Sequence, residues 1–512
     1  MTLMHGIVKN GLRDACLVPL WWIAIFSMPM VRFGTALDSH WSAGWLIFSL
    51  LLIVGFLLRI VSLASHVVWM LLAWTAITLM QMSKGDTFCN EDALLAIYFI
   101  FIIGCRPVHA LGEVRSVKTW VMALWSVFSI VLISLLVKNA LLAGYSHGTT
   151  YEVKPLFAHR NIAIESYTLL SVGAIALLRT SRWRWLLMSV VLVVITAYQV
   201  RSAFLGFGLF VVIEIGLQCY QSRWFKWLVG CGIFALLASQ VLFTMLREPE
   251  HKSKFDALPD IVKNFDVFYN LNRAESSSER LVMWRWTTDH TTWMGEGCGN
   301  WKFMAEGYVN AELDKCDLVV RHPHSDVLKM CYEMGIIGCA LFIAWLIFFV
   351  RPAWRYWIVF APMFLFAFPT ERSETLSALL VLLLCSSDGR KHRSVTPVAS
   401  LLMMALLIFT TAMWHHAQNF FGKAMRDPLL LKYATPLDRT AMDAFPFDIV
   451  LNRLPTYQAI VLADAGKTEE AKSLLREVLA QHPNDQGAIR LLQRLGAELP
   501  PSAHVCENDS IR

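Results

Sequence analysis

The chain has 512 residues, of which 56% are hydrophobic and only 16% charged, with a formal net charge of +6 and a mean hydropathy of +0.50. Soluble domains carry nearer a quarter of charged residues, so an ordinary soluble globular enzyme is excluded. The surplus of Lys and Arg sits in short connections between apolar runs, which is a membrane pattern and gives no support for nucleic-acid binding.

The first eight apolar blocks cover 15–30, 45–58, 67–80, 93–105, 120–137, 162–178, 186–200 and 204–217, and a ninth covers 228–246. Four more, 328–350, 357–368, 376–385 and 398–414, follow a long polar break. A helix needs about 20 residues to cross the hydrocarbon, which several blocks reach only with their polar ends. The reading is about thirteen spans. Ser27-Met28-Pro29-Met30-Val31-Arg32 is a poor small-residue cleavage site, so the first block is read as a retained helix rather than a signal peptide. Arg106, Arg115, Lys118, Arg179, Arg182, Arg184, Arg223, Lys226, Arg351, Arg355, Arg390, Lys391 and Arg393 fall in even-numbered connections, which are therefore cytoplasmic. The N-terminus is then inside and the C-terminal tail outside.

The expected fold is all-α: a polytopic membrane helical bundle with a large outer loop and a small helical C-terminal domain. Residues 1–246 form an N-terminal membrane bundle, 247–325 the loop, 326–414 a second bundle, and 415–512 the tail. In the loop, Ser276-Ser277-Ser278-Glu279 reads as a helix N-cap with an acidic first turn. Gly295-Glu296-Gly297-Cys298-Gly299-Asn300 reads as a glycine-rich turn. In the tail, 457–475 has helical periodicity and a second helix covers 486–495. Ala459, Leu462, Gly466, Ala471, Leu475, Val478 and Pro483 occupy the small and apolar positions of a tetratricopeptide helix pair. Either a small cap or a partner-docking surface is consistent with one such repeat.

The eleven cysteines include no CxxC pair. Cys89, Cys298, Cys316 and Cys506 fall on the outer side, and Cys298 and Cys316 bracket the end of the loop as a candidate disulfide. No P-loop, GxGxxG, HExxH or G-x-S-x-G motif is present. Glu91-Asp92 and Glu371/Glu374 are the outer carboxylates available to a cation.

The strongest chemical signal is Arg321-His322-Pro323-His324-Ser325-Asp326, just before an apolar run. His322 and His324 flank a proline that pins the backbone, and Asp326 is placed to cap the following helix. Neutral imidazole suits removal of a proton from a hydroxyl. The alternatives are interfacial histidines or a metal pair. Arg201 lies between two spans with almost no loop, Arg280 opens the Trp284/Trp286 segment, Arg321 abuts the histidines, and Arg160 begins the sixth span. Arginines gathered on one face suit a multi-anionic ligand, because guanidinium binds phosphate oxygens as a fork. Ordinary snorkelling is the competing reading for any one of them. Trp284, Trp286 and Trp301 are candidates for stacking on sugar rings.

The order S-S-E-R280-x-x-M-W, G295-E-G-C-G-N300-W, H322-P-H324-S-D-x-L and G335-I-I-G338 resembles the O-antigen ligase and polymerase superfamily over residues 195–345. That family includes lipid A–core O-antigen ligases, bacterial O-oligosaccharyltransferases and polysaccharide polymerases. Ser325 stands where the family usually has asparagine. The resemblance implies an inverting transfer of a glycan from undecaprenyl diphosphate to an acceptor hydroxyl at the periplasmic face of a bacterial inner membrane, with no cofactor and no metal. It implies that His324 is the general base, with His322 as the competing choice. It also implies that Arg201 and Arg280 hold the diphosphate, with Arg321 as a further candidate; Arg160 is a candidate for the same ligand by its place on the outer face alone. An outer tail resembles protein O-oligosaccharyltransferases and polymerases more than lipid A–core ligases, so the acceptor is expected to be protein, with growing glycan and lipid A–core as alternatives. A transporter of the same lipid is the rival from another class, although the candidate residues gather at one face rather than at the midplane.

Overall fold

The computed structural model describes residues 17–30, 41–82, 89–108, 115–143, 159–178, 181, 183–198, 200–219, 275–312, 321–387, 393–445, 453–481 and 485–501. The ninth expected span at 228–246, the first part of the large loop and Cys316 lie outside these residues.

The described chain is a helical bundle. In order, its first helices are α1 Val18–Ser27, α2 Trp41–Leu57, α3 His66–Met82, α4 Asn90–Gly104, α5 Arg115–Ala143, α6 Arg160–Leu177, α7 Trp183–Tyr198 and α8 Arg201–Cys219. After the gap come α9 Glu275–Asp289, α10 Trp301–Glu312, α11 Asp326–Val350, α12 Trp354–Trp357, α13 Phe360–Phe366, α14 Ser373–Ser386 and α15 Pro397–Ala424. The tail adds α16 Pro436–Asp443, α17 Leu454–Asp464, α18 Thr468–Gln481 and α19 Gln486–Arg494.

Apolar residues on all sides mark a helix for the interior. Every residue of α14 is buried, as is every residue of α6 from Ile162 onward, and the two pack lengthwise at the centre. Several buried polar groups around this core pair across helices: Tyr198 donates to Leu132 O at 2.7 Å, Trp125 Nε1 donates to Ser171 at 2.9 Å, and Tyr98 meets Thr411 at 2.6 Å.

The outside is apolar too. On α15, Val398, Leu402, Leu406 and Phe409 recur every three or four residues and are 64–68% exposed. In water such a stripe is an association liability; in hydrocarbon it is the expected face. Val117–Lys138, Asp326–Val350 and Pro397–Ala424 are long and apolar enough to cross a membrane, and five shorter apolar helices accompany them. The expected span at 357–368 is instead broken into α12 and α13. Gly206 of α8 packs against the break, where an added Cβ would meet Val359 O at 2.3 Å.

Two further features depart from the expectation. A two-stranded antiparallel ribbon, β1 Val61–Leu63 with β2 Cys105–Pro107, pairs Ser62 with Arg106 and adds a bridge from Ala64 to Ser394. Helix α15 also runs ten residues past the boundary at 414. The ribbon gathers basic connections at one end of the bundle, where Arg106 lies over the Phe349 ring at 3.6 Å. At the opposite end, Cys89 N donates to Cys298 O at 3.0 Å and Gln81 Nε2 donates to Glu333 O at 2.6 Å. The histidine segment lies at this second end.

The tail joins the same end. Phe421 meets Tyr457 edge-on at 5.4 Å, and Asn90 Nδ2 donates to Ala444 O. Ala459, Ala471, Leu475 and Val478 share a small core with Ile489 and Leu492. The expected first helix is a pair, α17 and α18, with Gly466 at the turn between them.

Candidate active site

The segment 321–325 is fastened on every side before α11 begins. Ser325, not Asp326, is the N-cap: its side chain accepts from Leu328 N at 3.3 Å. Asp326 is the first helical residue and reaches across instead, its Oδ2 accepting from Thr370 N at 3.0 Å while its own N donates to Ala367 O at 3.2 Å. Trp284 Nε1 donates to Pro323 O at 2.7 Å. His324 is held at φ 56, a left-handed conformation uncommon for a side-chain-bearing residue and often associated with functional sites. The two imidazoles meet edge-on with centroids 5.0 Å apart, and Phe368 lies 3.5 Å from His322 and 5.2 Å from His324.

Beneath them is a buried chain of charges. Glu371 lies 3.2 Å from Arg321 Nε, 3.4 Å from His322 Nδ1 and 2.6 Å from Lys329 Nζ. Lys329 continues to Asp92 Oδ1 at 2.7 Å, and Lys302 holds the other Asp92 oxygen at 2.7 Å together with Glu91. Burial alone pushes the Glu371 carboxyl up, but Lys329, His322 and Arg321 outweigh it and hold the group well below the usual carboxylate range. Burial likewise opposes the charge on Lys302, and Asp92 and Glu91 overcome it, so Lys302 stays protonated. A cavity of about 80 Å³ is lined mostly by apolar side chains, among them Trp74, Leu95, Phe99 and Phe342, with Asp92, Lys329, Glu333 and Glu371 also in its wall. Cys89, Glu91 and Asp92 lie close enough to share a cation, but the lysines already neutralise these carboxylates.

Both histidines are kept neutral. Burial is the main cause, lowering His322 from 6.5 to about 4 against the pull of Glu371. For His324, burial is reinforced by His322, Arg280 and Arg372, which lower it to about 2. Its Nδ1 is buried with no hydrogen-bond partner among the described residues.

The arginines approach from the other side. Arg280 on α9 donates to Phe366 O at 3.4 Å, and its Nε is buried with no partner among the described residues. Burial lowers its pKa, and the charge of Arg201, the first residue of α8, lowers it further. Next to Arg201, Ser202 donates to Glu165 at 2.5 Å, which ties α8 to α6. Arg160 opens that same helix α6, behind the N-cap His159. The structure thus brings Arg201, Arg280, Arg321, His322 and His324 to one end of the bundle, joined by Arg372 and Glu371.

The tryptophans divide. Trp284 is half-buried against Phe366 and anchors the histidine segment. Trp301 is fully buried and donates its Nε1 to Thr287 at 2.8 Å; Trp286 packs edge-on against it and stacks on His290. These last two rings form the core between α9 and α10, which leaves them no open face for a sugar. The serine run also has a different place: α9 already begins at Glu275, so Ser276, Ser277 and Ser278 are inside its first turn. Cys298 is a buried free thiol, while Cys316 lies outside the described residues.

Residues 185–343 match the family model described as O-antigen ligase. The match supports the O-antigen ligase superfamily for that segment. No curated protein and no solved structure matches the chain. The match indicates ligase-type, glycosyltransferase-like activity on a lipid-linked glycan and an acceptor. The ligase segment contains Arg201, Arg280, His322 and His324. Glu371, Arg372, Glu165 and Asp92 contact or charge this site from outside it. Sequence reading noticed Glu91, Asp92 and Glu371 only as cation ligands. It missed Lys302 and Lys329, whose signal was a lysine near the start of an otherwise apolar or aromatic helix.

Proposed function

We propose that this ligase-family protein transfers a glycan from undecaprenyl diphosphate to an acceptor hydroxyl on the periplasmic side of a bacterial inner membrane, as a metal-independent, inverting enzyme. In this reading His324 takes the proton of the acceptor hydroxyl as its oxygen attacks the anomeric carbon. The bond to the diphosphate breaks, and the departing negative charge falls to Arg280 and Arg201. Arg321 and Arg160 are secondary candidates for holding the diphosphate, and His322 is the competing base.

The observation that carries the proposal is the pairing of a neutral, buried His324 with the Arg280 guanidinium that acts on it. A general base must hold its lone pair free at neutral pH, and a leaving diphosphate needs cations within reach; His324 and Arg280 lie close enough for the one to feel the other's charge. The orientation follows from the basic connections gathered at the ribbon end, which fits the excess of Lys and Arg in cytoplasmic loops. The expected span count of about thirteen belongs to the same proposal.

For the acceptor we favour protein serine or threonine. The observation behind this choice is that the helical tail packs at the same end as the histidines. The test is expression with a defined lipid-linked glycan in a host lacking its own ligase. Glycan on protein supports the choice. Glycan on lipid A–core, or lengthened polymer, reassigns the acceptor. Donor crossing the membrane without transfer makes the protein a transporter.

A further inference from the structure

Helix α11 is not one rod. Gly335 sits at φ 76, ψ 167 within it and breaks it into two arms. The loop before α10 enters the break and satisfies the freed backbone groups. Ile336 N donates to Thr292 O at 3.1 Å and Ile337 N to Trp293 O at 3.3 Å, while Glu296 N and Gly297 N donate back to Tyr332 O at 3.0 Å and Glu333 O at 3.1 Å.

The break brings together two cysteines that a helix would keep apart. Residues eight positions apart in a regular helix are separated by about 12 Å along its axis. Here the Sγ atoms of Cys331 and Cys339 are 2.9 Å apart, one on each arm. That is roughly 0.9 Å beyond a covalent S–S bond. Both are free thiols, Cys331 half-buried and Cys339 buried.

We propose that Cys331 and Cys339 are an oxidative modification site that closes into a disulfide across the Gly335 break. The two thiols lose two protons and two electrons as the S–S bond forms. A protein disulfide donor of the extracytoplasmic compartment accepts them and is itself reduced to a dithiol. The pair lies toward the His324 end of α11, the side on which such donors act in the proposed orientation. The bond staples the arm that carries Lys329 and Glu333 to the arm that enters the membrane. It therefore fixes the seat of Lys329 beneath Glu371.

The test is differential thiol labelling of the full-length protein. Free thiols are blocked with N-ethylmaleimide in intact cells and during denaturing lysis. The protein is then reduced, treated with iodoacetamide and mapped by mass spectrometry. Cys331 and Cys339 should both carry the second label, and Cys331→Ser should shift Cys339 to the first. Reductant should also lower the melting temperature of the purified wild type by a few degrees, but not that of Cys331→Ser/Cys339→Ser. First label on both cysteines of the wild type overturns the proposal, as does a melting temperature indifferent to reductant. Neither readout depends on glycan transfer, so failure here is separable from failure of the functional reading.

Discussion

Lys329 Nζ lies 2.6 Å from Glu371, and the same ammonium reaches Asp92 at 2.7 Å. One cation from α11 therefore joins the start of α4 to the turn before α14, directly beneath His322. The histidine segment rests on this buried bridge.

Removing one partner of a buried pair leaves the other uncompensated, at a cost of about 3–5 kcal/mol. Glu371→Gln is therefore expected to lower the thermal midpoint of the purified protein markedly. Glu469→Gln, at an exposed tail pair with Lys472, should leave it near that of wild type. Equal behaviour of the two variants in a melting experiment contradicts the bridge.

The Gly295–Gly335 crossing admits no side chain. A Cβ on Gly295 would lie 2.4 Å from Glu333 O and from Gly335 N, and both glycines have positive φ. Gly295→Ala and Gly335→Ala should each destabilise by more than the roughly 1–2 kcal/mol of left-handed backbone strain alone, because backbone must also move. Gly208→Ala, which meets nothing within 4 Å, is the control. Wild-type melting of either crossing variant removes this packing account.

Much of this was readable in the residues, and the rest was hidden for physical reasons. Long apolar blocks announce membrane helices because hydrocarbon demands them, and α5, α11 and the first part of α15 cover expected blocks. The break at 357–368 was not readable, since periodicity does not report that Gly206 of another helix presses on Val359. The histidine pair and the arginines stood out because charged and titratable groups at a helix lip are rare. Their support did not, because Lys329 and Glu371 are 42 positions apart and only the fold makes them partners. Trp286 and Trp301 looked available to sugar because sequence does not distinguish an interfacial tryptophan from one buried between two loop helices.

Burial depresses both histidines from their ordinary value of 6.5, to about 4 for His322 and about 2 for His324. Below pH 6.5 the unfolded chain therefore binds protons that the folded chain refuses. Stability is full above that value and falls as pH drops toward the folded values. Activity of the free enzyme, read as kcat/KM, should stay flat from pH 8 down through 6.5, with its acid limb below about pH 5. A limb centred on 6.5 that vanishes in His324→Ala would show an ordinary, solvated imidazole.

Arg280 is expected to act on the donor rather than on the acceptor. Loss of a charge-assisted contact worth about 1.5–3 kcal/mol weakens binding roughly ten- to hundredfold. Arg280→Ala should raise the Kd for lipid-linked diphosphate glycan by that factor, and Arg280→Lys should recover part of it. Unchanged donor affinity in both, measured by titration in detergent, removes Arg280 from the diphosphate site.

The most direct measurement is transfer by purified His324→Ala with a defined lipid-linked glycan and acceptor, beside His322→Ala and wild type, with donor binding measured in parallel. The account predicts that His324→Ala binds donor as wild type does and loses transfer by about 10²–10⁴-fold, with His322→Ala less affected. Wild-type transfer by His324→Ala would contradict it.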